Sequence, residues 1–294
     1  MKLLRMKLAR VPIFCIAFII LLTLVPALAR VDERARVDGT PLPFDPAEES
    51  VYEAEFSRSL LRGINIATLR FTATRESTAT TPGKENLSNL RFTAEAESKG
   101  LFPKLFSGLR FRQRIESIVE PQSFNALRTV KLDEQGNRKR TSEAVFDLKQ
   151  RRVTWTERNP NDPTSQPRTV TSEFSGTVQD LASVFYFVRT QPLVPGKNFE
   201  VLVSDSGRVY RMPVRVGEKK MMKTLLGEVE TVRVDPELFG EDRLVRGKGQ
   251  ITIWFTTDAR HIPVRAQIRH EMGTLDITLK SITNGASGGR SSGK

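Results

Sequence analysis

Acid–base, nucleophilic and metal chemistry each require particular side chains near one another, and this chain of 294 residues carries few of them. It has one Cys and two His. A Cys/His zinc site takes three or four such ligands, and the whole sequence offers three. His261 follows the turn Asp258-Ala259-Arg260, so Asp258 is the nearest acid that could orient it as a general base. His270 falls near a strand end, before Gly273. The plainer reading of both histidines is a solvated turn residue. Glu53 with Glu55, and Glu95 with Glu97, place two carboxylates on one face of a strand. That spacing permits acid–base work, but alternation with apolar neighbours explains it as well. Gly285-Ala286-Ser287-Gly288-Gly289 matches the spacing of a nucleophile elbow, which requires a strand before it and a helix after it. Here it lies in a Gly/Ser-rich tail. Gly247-Lys248-Gly249 opens a dinucleotide fingerprint, yet Thr252 stands where the third glycine belongs and a strand follows. We therefore expect no catalytic residue, no metal site and no cofactor.

Binding chemistry has better candidates. Arg70, Arg91, Arg110, Arg112, Arg114, Arg211, Arg215, Arg265 and Arg269 lie opposite apolar positions in alternating segments. One reading is a basic sheet face that meets an anionic envelope component, since Arg suits bidentate contact with phosphate or carboxylate. The other is a charged, soluble face whose arginines pair across strands with Glu95, Glu97, Glu116 and Asp276. Trp254 is the outlier, because it alternates with Gln and Thr and not with the apolar set. It either packs beneath a loop or lines a ligand groove. Phe185, Trp254 and Arg265 are the ligand-binding candidates.

The elements that must position these residues are mostly strands. Residues 30–49 are charged, rich in Pro, Asp and Glu, and read as a linker. From Tyr52 onward apolar and polar residues alternate with period two: Tyr52/Ala54/Phe56, Leu69/Phe71/Ala73, Leu90/Phe92/Ala94 and Leu109/Phe111. The cleanest runs are Ile251/Ile253/Phe255, Ile262/Val264/Ala266 and Leu275/Ile277/Leu279. Turn signals at Pro82-Gly83, Gln135-Gly136-Asn137, Asp205-Ser206-Gly207 and Met272-Gly273 punctuate them. The exception is Val178 to Gln191, where Leu181, Val184, Phe185 and Val188 recur at helical spacing, ended by Pro192. A short helical turn is expected at Leu101 to Gly108. The predicted fold is mainly β: a curved antiparallel sheet, half-barrel or open barrel, with one long helix packed against it. Residues 50–284 form a single β-rich domain, and 285–294 form a disordered tail.

The first 29 residues read as an export signal. Lys2, Arg5, Lys7 and Arg10 precede an apolar run from Val11 to Val25, and Ala27-Leu28-Ala29 supplies small residues for cleavage. The run is short for a membrane-spanning helix. Cys15 lies inside it. Four cations and no carboxylate leave with that segment, so the net charge falls from +12 to +8. The remaining chain has no cysteine, so its stability must come from core packing. That suits the periplasm of a Gram-negative-type bacterium better than a disulfide-dependent secreted domain. A nucleic-acid partner is not expected there, nor is a transmembrane domain after cleavage.

Asp180-Leu-Ala-Ser-Val-Phe-Tyr-Phe-Val-Arg189, Gln191-Pro192-Leu193, Tyr210-Arg-Met-Pro-Val-Arg-Val216 and Ile253-Trp-Phe-Thr-Thr-Asp-Ala-Arg-His-Ile-Pro-Val-Arg265 follow one another in a recognisable succession. It resembles a family of bacterial exported proteins, domain of unknown function 3108, over roughly residues 50–284. The resemblance implies an envelope location and a curved antiparallel sheet with a helix against it. It brings no activity with it. The expected function is a non-enzymatic envelope module that binds a lipid, another hydrophobic moiety or a protein partner. A structural or assembly factor contacting anionic polymer, and a cryptic hydrolase, are the alternatives.

Overall fold

A computed structural model describes residues 42–59, 61–76, 88–99 and 110–284. The export segment, Cys15, the turn at Pro82-Gly83, the helical turn expected at Leu101 to Gly108 and the Gly/Ser tail lie outside the described residues.

The strands are β1 (Glu49–Arg58), β2 (Leu61–Arg75), β3 (Leu90–Ser98), β4 (Phe111–Val119) and β5 (Ala126–Gln135). Then come β6 (Arg138–Asp147), β7 (Arg152–Arg158), β8 (Arg168–Glu173), β9 (Val178–Gln179) and β10 (Asn198–Asp205). The last five are β11 (Arg208–Thr224), β12 (Gly227–Pro236), β13 (Gly249–Thr256), β14 (Pro263–His270) and β15 (Gly273–Thr283). All belong to one sheet in the order β8-β7-β6-β5-β4-β3-β2-β1-β15-β14-β13-β12-β11-β10-β9. Neighbours are antiparallel except β9 with β10. Two meanders thus meet where β1 pairs with β15, with Ala54 opposite Ile277. Residues 126–173 extend the main sheet as β5 to β8.

A flat sheet of this width would expose its apolar face, and twist curls it instead. The curl brings the β10–β11 turn onto the far end of the sheet. Ser172 of β8 donates to the Gly207 carbonyl at 2.7 Å. No ladder joins β8 to β9, so the barrel stays open. The predicted curved sheet is present as this open wrap.

The predicted long helix is not. The helix α1 covers only Ser183–Arg189. Val178 and Gln179 pair as a strand with Leu202 and Val203, which removes the first part of the helical pattern. The Asp180 carboxylate then accepts from the amides of Ala182 and Ser183, both at 2.8 Å, and starts the helix. The amides of Thr190 and Gln191 bond back to Phe187 and Val188 and tighten the last turn ahead of Pro192. Leu181 keeps the helical spacing but sits before the helix, buried in the same core.

The concave face of β1–β4 and β10–β15, with α1 against it, encloses the main apolar core. The segment read as a linker enters this core at its end. Phe44 packs edge-on against Phe92, Phe124 and Tyr186, and Glu48 is 2% exposed. A smaller cluster around Phe146, Val153, Trp155 and Phe174 lies at the β6–β8 end.

Candidate functional site

Between α1 and the concave face lies an apolar cavity of about 120 Å³. Period-two alternation puts Tyr52 of β1, Leu69 and Phe71 of β2, Val234 of β12, Ile253 and Phe255 of β13 and Ile277 of β15 on that face. Phe185 supplies the roof from the helix. Its ring stacks on Phe71 at 4.0 Å and 6°, and Tyr52 meets both rings edge-on. The Tyr52 hydroxyl donates to the Pro263 carbonyl at 2.9 Å, and burial pushes its pKa far above the ordinary tyrosine range. Phe71, Phe185, Ile253 and Ile277 remain only half-buried, so the cavity keeps accessible apolar surface.

The helix is held over the sheet by a buried ion pair. Arg189 is 1% exposed, and its two terminal nitrogens donate to both Glu48 oxygens at 2.5 and 3.0 Å. It also donates to the carbonyls of Pro43 at 3.0 Å and Arg260 at 3.1 Å. His261 completes the clamp: its Nδ1 lies 2.7 Å from the Arg189 carbonyl, so that nitrogen is the donor. The Asp258 carboxylate is occupied elsewhere, accepting from Thr256 at 2.5 Å and Arg260 at 3.3 Å. Burial works to raise its pKa, but these two donors outweigh it and hold the carboxyl below the usual range. The acid–base pair weighed for His261 and Asp258 is therefore not assembled. Glu53 faces Lys99 at 2.7 Å and Lys280 at 3.5 Å. The hydrogen bond from Lys99 is the main cause of its lowered pKa, which keeps it ionised. Glu95 pairs with Arg114. Among the described residues no three His, Cys, Asp or Glu converge to hold a metal. Nor is any helix there long and apolar enough to cross a membrane.

Of the three ligand-binding candidates, Phe185 lies in the cavity roof and Arg265 at its edge, whereas Trp254 faces away. Trp254 of β13 and Arg265 of β14 are register partners. The Trp254 ring, 9% exposed, lies under the Lys220 ammonium at 4.4 Å and the Arg265 guanidinium at 5.6 Å. Two cationic side chains cover the tryptophan where a loop or a groove was expected. Arg265 also pairs with Asp276 at 2.6 Å. Across the convex face Arg70, Arg91, Arg114, Arg211 and Arg215 pair with Glu49, Glu76 and Glu116, Glu95, Glu200 and Glu237, respectively. The arginines are thus largely compensated by neighbouring carboxylates, which weakens the case for an anionic polymer.

Sequence reasoning placed Tyr52, Phe71, Ile253, Phe255 and Ile277 on apolar strand faces but did not join them into a site. It missed Glu48 as the partner of Arg189. No local signal separates Glu48 from the adjacent Glu49, which pairs with Arg70 at the surface.

A search of curated proteins finds no match. Three solved structures are similar in outline. One is a β-barrel-like protein of domain of unknown function 1849 from Brucella abortus, with 10% identity, a TM-score of 0.49 and coverage of 82% of this chain and 98% of that one. The second is a candidate lipoprotein from Parabacteroides distasonis, at 9% identity and TM-score 0.31, covering 84% of this chain and 100% of that one. The third is a candidate exported protein with a YmcC-like fold from Bacteroides fragilis, at 7% and 0.28, covering 83% and 98%. The family model described as protein of unknown function DUF3108 matches residues 51–280, the span that holds the sheet, the helix and the cavity, and the chain belongs to that family.

Proposed function

We propose that this chain is an exported, non-enzymatic binding module whose cavity takes a hydrophobic moiety, such as part of a lipid. One observation carries the reading: the apolar cavity between α1 and the sheet, walled by half-buried Phe71, Phe185, Ile253 and Ile277. A dry engineered cavity of similar size, about 150 Å³, accepts benzene, so the occupant is a ring or a short stretch of alkyl chain. The export-signal layout of residues 1–29 and the absence of cysteine after them support a periplasmic setting. Non-enzymatic binding is supported by the engagement of His261, Asp258, Glu53 and Glu95 in structural contacts.

The test combines native mass spectrometry of protein purified from its own host with titration of an apolar fluorophore. A co-purifying hydrophobic molecule and saturable fluorophore binding are expected. Ala266→Leu, which extends a side chain into the cavity, should weaken binding at least about tenfold, or about 1.4 kcal/mol, without lowering the melting temperature. Absence of any bound molecule or probe, or unchanged affinity in Ala266→Leu, overturns the reading.

A further inference from the structure

The hairpin of β11 and β12 outruns its neighbours. β10 pairs with β11 only from Arg208 to Arg215, and β13 pairs with β12 only from Thr231 to Val234. From Lys220 to Val229 the two strands, among the described residues, pair only with each other. This arm is fastened along one side, where Met222 and Leu226 are half-buried and pack against the main core. Met221 and Leu225 are left outside, 57% and 54% exposed. The described surface exposes four large apolar residues, and a third of them, Val194, sits at the root of the arm. There Gly196 donates to the Val216 carbonyl at 2.9 Å. Apolar residues scattered singly over a surface need no explanation, but three of the four at one end mark an interaction site.

The charges beside these residues select the partner. Lys219 is paired with Glu230 at 3.0 Å, and Glu218 with Arg233 at 3.3 Å. Among the described residues no ion pair engages Lys197 at the root, or Lys220 and Lys223 on the arm. Glu228, opposite Lys223 in the register, is the one carboxylate of the arm outside an ion pair. Three lysines against one carboxylate leave an excess of positive charge next to exposed apolar side chains. That layering matches a bilayer, where apolar side chains enter the interface and ammonium groups meet phosphate. A protein partner asks for something else: about 800 Å² from each side, aromatic or Arg anchors in packed pockets, and few lysines. Residues 219–229 contain no aromatic residue and no Arg. We propose that the β11–β12 arm docks this protein on a bilayer carrying anionic phospholipid. Met221 and Leu225 enter the interface, Lys197 and Lys223 meet the phosphates, and Lys220, over Trp254, adds its charge. The inference makes no use of the apolar cavity and is tested apart from it.

The test places an environment-sensitive thiol dye on Leu225→Cys in the full chain, with Cys15→Ser so that a single thiol reacts. Val145→Cys, at an exposed position of β6, is the reference site. Vesicles of phosphatidylethanolamine with phosphatidylglycerol should shift the dye emission to the blue at position 225 and leave it unmoved at position 145. Half-maximal shift should require at least about tenfold more lipid when the vesicles are phosphatidylcholine alone. Adding Lys197→Gln and Lys223→Gln to the labelled chain should raise the requirement for the anionic vesicles by about tenfold, with an unchanged melting temperature. No shift at position 225, an equal shift at position 145, equal response to both vesicles, or a lysine variant that behaves as the parent overturns the inference. A shift produced by envelope proteins but not by protein-free vesicles overturns it in favour of a protein partner.

Discussion

Taking a guanidinium out of water costs several kcal/mol unless its charge and its donors are met. Arg189 meets that condition with both Glu48 oxygens and two carbonyls. The pair ties the chain just before β1 to the end of α1, across 141 positions of sequence. Glu48→Ala leaves the buried charge uncompensated, so urea denaturation should show a loss of about 3–5 kcal/mol. Adding Arg189→Met to that variant should recover most of it, because two apolar side chains then replace an orphaned charge. A loss below about 1 kcal/mol in Glu48→Ala would show that the pair does not hold the helix. Tyr186 is a different case at the same scale. Its hydroxyl is buried without a partner among the described residues, and burial raises its pKa well above the ordinary value. Its ring, stacked on Phe92 at 4.2 Å, packs in the main apolar core and does not line the cavity.

A helix of seven residues does not persist alone in water, since isolated helices below about 12–15 residues are marginal. α1 exists because its ends are fastened and its apolar side is buried. Asp180 caps its start and accepts a bond from Thr129 of β5, which couples the helix to the sheet. Asp180→Ala should cost about 2 kcal/mol, at the upper end of the range for a lost cap. It should also weaken binding of the apolar fluorophore, because Phe185 is then less firmly placed. Asp180→Asn keeps an acceptor oxygen and should retain most of both. Denaturant midpoints and binding titrations on the two variants check this. Equal stability of the alanine variant and the parent would mean that burial alone holds the helix.

The described strands form a single sheet wrapped until its ends touch without pairing. Contact at that seam needs a residue without a side chain. Gly207 has φ +76°, and a Cβ there would lie 2.7 Å from the Val170 Cβ and 3.0 Å from the Trp155 Cβ. Gly207→Val combines an unfavourable backbone conformation with this clash. It should destabilise by about 1–3 kcal/mol and push the β10–β11 turn off β7 and β8. Hydrogen exchange should then speed up in β7 and β8 and stay unchanged around β1 and β15. Unchanged exchange in β7 and β8 would mean that the seam contributes nothing to the wrap.

The strands, their turns and the apolar faces were legible because alternation and turn chemistry are local properties. The same alternation correctly separated Trp254 from Ile253 and Phe255. Three features were beyond local pattern. The length of α1 depended on β10 recruiting Val178 and Gln179 into the sheet. The burial of Glu48 depended on Arg189, far along the chain. The cavity depended on β1 pairing with β15 and on the curl that carries β2, β13 and α1 to one place. Sequence alone determined which face each strand turns inward, since side-chain direction alternates residue by residue. Only the tertiary structure decided which inward faces meet, because pairing between distant strands and the twist of the whole sheet set those distances.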